Sequence, residues 1–164
     1  LHSSDHGDTL PESRVLFLDF DGVLHAVDEP PLNGGGRLMA NPRLFAWRPV
    51  LEDILAPYPK VRIIVSSDWR RLLDDDNLKR ALGPLAPRFT GVVERWCASR
   101  VDEILTKARR RKLTTWLAVD DHPTVVAASR RDVRFIACES DTGLSALPVQ
   151  ARLRAALTNL VDRL

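Results

Sequence analysis

The sequence predicts an α/β fold: three layers, with a five-stranded parallel sheet between helices. Three observations predict it. Short apolar runs recur along the chain and alternate with stretches of helical spacing, as in a parallel sheet crossed by helices. The runs are nearly continuous, the pattern of strands buried on both faces. Three of them stop at polar groups: Asp19 and Asp21, Ser66 and Ser67, Asp120 and Asp121. Ligands in open α/β sheets sit beyond the carboxyl ends of the strands, so neighbouring strands would bring these groups into one crevice.

Taken in order, residues 1–12 read as a flexible leader and 13–164 as a single domain, since 164 residues suit one full core. Val15–Leu18 is the first strand, stopped by the acidic pair and Gly22. The Pro/Gly-rich stretch 26–41 reads as a loop, within a short flap at about 24–48. Pro49–Ala56 suits a helix with proline in its first turn and Pro57 ending it. Lys60–Ser66 is the second strand. Asp74–Leu82 is a helix stopped by Gly83 and Pro84, and Phe89–Val93 a third, weaker strand. Val101–Arg111 has helical spacing and a basic end that suits a helix C-terminus. Thr114–Val119 is a fourth strand, Pro123–Ser129 a short helix and Val133–Ala137 a fifth strand. Ser145–Leu160 closes the chain as a helix with Pro148 in its first turn.

Composition excludes several classes. A net charge of +2 is too small to imply nucleic acid by itself. The two cysteines, Cys97 and Cys138, have no metal-type spacing and fit a reduced, cytoplasmic protein rather than a disulfide scaffold. No stretch is long and apolar enough for a membrane span, and the first residues lack the shape of a signal peptide. His2 and His6 fall in the leader.

Period-2 alternation places Asp19 and Asp21 on one side of an extended chain and Phe20 on the other. Two such carboxylates repel, so a cation is expected to join them. The competing reading is a β-turn with solvated aspartates. Polar ends on three strands of one small chain weigh against separate caps and turns.

DFDGVLH at 19–25, VSSDWR at 65–70, AVDD at 118–121 and DTGLS at 141–145 together resemble the haloacid dehalogenase-like (HAD) superfamily. Within it they look most like the HAD domain associated with Swiss Army knife RNA-repair proteins. The resemblance runs from Val15 to the final helix. It implies a Rossmann-like sheet in the order 5-4-1-2-3 with a minimal cap, and Mg²⁺-dependent phosphoryl transfer through an aspartyl-phosphate. Asp19 would be the nucleophile, and Asp21 would protonate the leaving oxygen and then take a proton from water. The Asp19 and Asp120 carboxylates and the Asp21 carbonyl would hold Mg²⁺, with Asp121 holding a metal-bound water or a neighbouring backbone group. Ser66 would bind the phosphoryl oxygens, with Ser67 as the second choice. Arg100 stands where the family places a basic residue, with Lys107 two helical turns on as the fallback.

Trp69 and Arg70 follow the serines and are candidates to bind substrate beyond its phosphate; a packed Trp with a surface Arg competes with that. His25 would line the site or simply follow the turn, and His122 is a candidate supporting group. Arg109–Lys112 reads as a solvated helix end, and Trp47, Trp96 and Trp116 as core. A metal-free dehalogenase, a phospho-accepting receiver and a non-catalytic phosphate-binding module compete with a phosphatase. The dehalogenase has no use for Asp21 or an acidic metal pair, and a receiver carries its acidic pair early. The stretches after the first and third strands are too short for a cap domain, so the crevice would admit a phosphate on an RNA or DNA end. Arg37, Arg70 and Arg71 would then meet neighbouring phosphates. A small-metabolite or nucleotide phosphatase is the alternative.

Overall fold

A computed structural model describes residues 14–30, 41–94 and 99–162. The leader with His2 and His6, and also Arg37, Trp96 and Cys97, lie outside them. Five strands, β1 (Val15–Leu18), β2 (Arg62–Val65), β3 (Phe89–Val92), β4 (Trp116–Asp120) and β5 (Phe135–Ala137), form one sheet in the order β3-β2-β1-β4-β5. Every pairing is parallel. This is the expected order, read from the other edge. β1 coincides with its apolar run and β4 extends to Asp120, whereas β2 stops at Val65 and β5 begins at Phe135, past the exposed Val133.

Alternating side chains divide the helices between two layers. Leu16, Leu18, Ile63 and Val65 pack with α1 (Arg48–Leu55), α2 (Asp75–Leu82) and α5 (Leu147–Asp162). Val15, Phe17, Ile64 and Ala118 pack instead with α3 (Arg100–Arg110) and α4 (Pro123–Ser129). Trp116 is core, as expected; Trp47 is only half-buried at its edge. Side chains cap the starts the sequence suggested: Asp74 accepts from Asn77 N before α2 and Ser99 from Asp102 N before α3.

Three short 3₁₀ turns, Asp68–Arg71, Gly83–Arg88 and Gly143–Ser145, were not foreseen. The second is held by Arg88, whose guanidinium donates to the carbonyls of Leu55, Tyr58 and Val61. Between β1 and β2 the described residues contain one helix, α1, and it packs beneath the sheet rather than over the strand ends. Among the described residues no helix is long and apolar enough to cross a membrane.

Candidate active site at the carboxyl ends of the strands

Register builds the site. Leu18 pairs with Val65 of β2 and Val119 of β4. The next residue of each strand is Asp19, Ser66 and Asp120. Ser66 N donates to Leu18 O at 2.9 Å and Asp19 N to Val119 O at 3.2 Å, so the alignment continues into these residues. By alternation all three side chains fall on the face covered by α3 and α4. Arg100, at the first turn of α3, reaches them from that layer.

Asp19, Asp120 and Asp121 each offer a carboxylate oxygen within 4.8 Å of the others. Asp19 and Asp120 are buried. Burial and the Asp120 charge push Asp19 well above the ordinary carboxylate range, against the opposing pull of Arg100. Burial likewise raises Asp120, again opposed by Arg100. The Arg100 guanidinium lies 2.9 Å from Asp120 Oδ2, 3.6 Å from Asp19 Oδ1 and 3.4 Å from Asp68 Oδ1. Burial lowers its pKa most strongly of any single influence, yet the three acids together raise it. A crowd of carboxylates facing one cation is short of positive charge, and its oxygen donors suit a hard metal ion.

Backbone groups hold the acids in place. Phe20 N donates to Asp19 Oδ1 and His122 N to Asp120 Oδ1, both at 2.9 Å. The His122 ring caps α4 by accepting from Thr124 N, so its part is structural support. Ser140 Oγ donates to Asp121 Oδ2 at 2.7 Å. Gly22 has φ +73°, and a Cβ there would lie 2.0 Å from Asp121 Oδ2. Both the left-handed backbone and the close approach demand glycine.

Asp21 is not one of the three acids that converge. The chain leaves β1 and turns: Val23 N and Leu24 N both donate to Phe20 O, and Gly22 N donates to His25 O. The Asp21 carboxylate therefore stands apart from the three-acid cluster. It accepts from His25 Nε2 at 2.7 Å and from Trp69 Nε1 at 3.1 and 3.2 Å. The acids whose oxygens converge are Asp19, Asp120 and Asp121, rather than the Asp19 and Asp21 pair expected from alternation. The turn, not an extended strand, sets where Asp21 points.

The two serines separate cleanly. Ser67 Oγ accepts from Trp69 N and caps the 3₁₀ turn. Ser66 Oγ is fully buried and has no hydrogen-bond partner among the described residues. A buried hydroxyl without a partner costs about 1–3 kcal/mol, which a ligand oxygen would recover.

Trp69 and Arg70 are not where a substrate-binding role needs them. Trp69 is buried against Phe20, His25 and Phe45. Arg70 is buried too; it donates to Val93 O at 2.7 Å, to Ser66 O at 2.6 Å and to the Glu103 carboxylate. It ties β2 to the end of β3 and to α3, and has no face left for a phosphate. We predict that Arg70→Ala lowers stability by about 3 kcal/mol, because it strands a buried carboxylate; urea unfolding checks this, and an unchanged midpoint would refute it.

Lys107 lies along α3, away from the cluster, and pairs with Glu94 at 2.5 Å. Glu103, Ser140 and Asp68 were missed by sequence reasoning. Glu103 and Ser140 are far in sequence from Arg70 and Asp121, which they contact, and Asp68 meets Arg100 across 32 residues, so no local pattern marks these contacts.

Residues 15–149 match the family model described as the HAD domain in Swiss Army Knife RNA repair proteins. No curated protein and no solved structure matches the chain.

Proposed function

The chain belongs to the family of HAD domains in Swiss Army Knife RNA repair proteins, and from that premise we propose that it is a Mg²⁺-dependent phosphatase. It works through an aspartyl-phosphate on Asp19 and acts on phosphorylated nucleic-acid ends. The observation that carries the reading is the unpartnered, buried Ser66 hydroxyl on the strand next to Asp19, with Arg100 beside both buried aspartates. A phosphoryl group supplies the acceptor that Ser66 lacks, and Arg100, already beside Asp19 and Asp120, adds charge-assisted hydrogen bonds to it.

Asp19 attacks phosphorus as the bond to the leaving oxygen breaks, and Asp21 gives that oxygen its proton. Water then attacks the phosphorus and passes a proton to Asp21, freeing phosphate and the Asp19 carboxylate. Arg100 stabilises the charge gathering on the transferring group. A protonated Asp19 is no nucleophile, so its raised pKa calls for added positive charge. Asp19, Asp120 and Asp121 present the oxygen set that Mg²⁺ takes, and when bound the ion supplies that charge.

Two observations favour an extended substrate. Among the described residues no helix stands over the strand ends, and Asp21 is 31% exposed. A cleft of about 650 Å³ borders Asp121, with Val126, Ser140 and Arg152 in its wall. The cations expected to meet neighbouring phosphates are revised. Arg70 is enclosed, Arg37 lies outside the described residues, and Arg71 remains, 36% exposed and 3.6 Å from Asp68. A reducing, cytoplasmic setting fits the buried free thiol of Cys138.

The test compares kcat/KM on a 5′- or 3′-phosphorylated oligonucleotide with the matching mononucleotide, across a salt series, with Mg²⁺ and with EDTA. Turnover should require Mg²⁺, favour the oligonucleotide and weaken with salt. Equal efficiency on the mononucleotide without salt dependence would favour a small-metabolite or nucleotide phosphatase.

A further inference from the structure

A group that moves a proton must be aimed, and what aims Asp21 is not its own backbone. Asp21 lies in a turn beyond β1, one-third exposed. Among the described residues, the donors to its carboxylate come from two buried side chains. His25 is 0% exposed and Trp69 1%. Oδ1 receives both, His25 Nε2 at 2.7 Å and Trp69 Nε1 at 3.1 Å. Trp69 Nε1 also lies 3.2 Å from Oδ2, so its N–H is shared between the two oxygens and, among the described residues, His25 is what distinguishes them.

The donors are themselves fixed. Phe45 N donates to His25 Nδ1 at 3.3 Å. An Nδ1 that accepts leaves the neutral ring its proton on Nε2, directed at Asp21. The rings of Phe20, His25, Phe45 and Trp69 pack edge-to-face or tilted with centroids 5.1–5.8 Å apart. Neither donor can swing away without breaking this packing.

We propose that His25 and Trp69 are positioning residues that hold the Asp21 carboxylate, His25 on Oδ1 and Trp69 across both oxygens, so that Oδ2, which His25 leaves open, is the oxygen that exchanges the proton with the leaving group and then with water. The inference rests on the acid/base reading of Asp21 and adds the groups that make it effective. No proton passes through His25 or Trp69; their N–H bonds stay intact throughout.

The test uses leaving-group dependence. A poor leaving group needs the proton from Asp21, whereas p-nitrophenolate hardly does. In saturating Mg²⁺, kcat/KM is measured for p-nitrophenyl phosphate and for an alkyl phosphate such as ethyl phosphate. Asp21→Asn should lose ~100-fold more on the alkyl ester than on the aryl ester, the scale of general acid catalysis. Trp69→Phe keeps the ring and deletes the N–H; it should show the same selectivity at about tenfold. His25→Leu should do likewise, and His25→Gln, which restores a donor near the Nε2 position, should recover part of the loss. Nitrogen NMR of the His25 ring should find the proton on Nε2.

Equal losses on both esters in Trp69→Phe, alongside a selective Asp21→Asn, would overturn the positioning role and leave the acid/base reading standing. An Asp21→Asn variant without selectivity would overturn both. A proton on Nδ1 would overturn the His25 half. If His25→Leu does not fold, Trp69→Phe decides.

Discussion

Asp19→Asn should leave a folded protein with turnover lowered by ~10⁵-fold or more, the scale of removing a covalent nucleophile. The amide keeps the shape and can still accept from Phe20 N, but it does not attack phosphorus. Stability should move the other way. Asp19 is buried beside Asp120, and its native pKa lies above its unfolded one. Between those two values the native state holds more protons than the unfolded state, so this residue's contribution to stability falls as pH rises through that interval. Asn does not titrate. In EDTA the Tm of the variant should therefore exceed that of wild type by a margin that widens as pH rises from about 4, the ordinary aspartate value. Thermal melts across pH, paired with turnover assays, check both halves. Retained turnover within tenfold would remove Asp19 from the mechanism, and a pH-independent Tm difference would remove the electrostatic explanation.

Arg100→Ala should damage both turnover and stability. Its guanidinium lies within 4 Å of Asp19, Asp68 and Asp120. Truncation leaves two buried carboxylates without their cation, at a cost of about 3–5 kcal/mol. It also removes charge stabilisation from the transferring phosphoryl group, a loss of ~10²–10³ in kcat. Lys107→Ala is the contrast. Lys107 pairs with Glu94, which is 40% exposed, so the variant should lose no more than about 1 kcal/mol and keep near-normal turnover. Side-by-side assays and urea melts decide; the reverse ranking would move the phosphate-neutralising role to Lys107.

The sheet was legible because its central strands are buried on both sides and so read as unbroken apolar runs, while the half-buried edge strand β3, FTGV, gives a weaker signal. The acids at 19 and 120 and Ser66 were legible because each stands one step past such a run. Arg100 was found only through the resemblance, and its contacts with Asp19 and Asp120 come from the α3 layer. What stayed hidden depends on partners far along the chain. Asp21 looks like the twin of Asp19 until Trp69, 48 residues on, and the turn through His25 give it another direction. Arg70 reads as a surface cation beside a candidate phosphate site until Val93 and Glu103 enclose it. A local pattern cannot register a carbonyl supplied by another strand. Ser66 ends the apolar run, which favours it over Ser67, and the hydrogen bond from Trp69 N to Ser67, with Ser66 left unpartnered among the described residues, gives that preference its physical reason.

The close approach of Gly22 to Asp121 has a mechanical consequence. The turn after β1 and the start of the loop after β4 touch with no slack: even one methyl group would overlap the Asp121 carboxylate. Any side chain larger than hydrogen at position 22 would therefore press on Asp121 and on the hydrogen bond it accepts from Ser140, in the loop after β5. The stretch beyond His25 is tied to the same junction, since Val27 N donates to Ser140 O and Ser140 holds Asp121; glycine at 22 is what lets the turn lie this close to an acid of the proposed metal site.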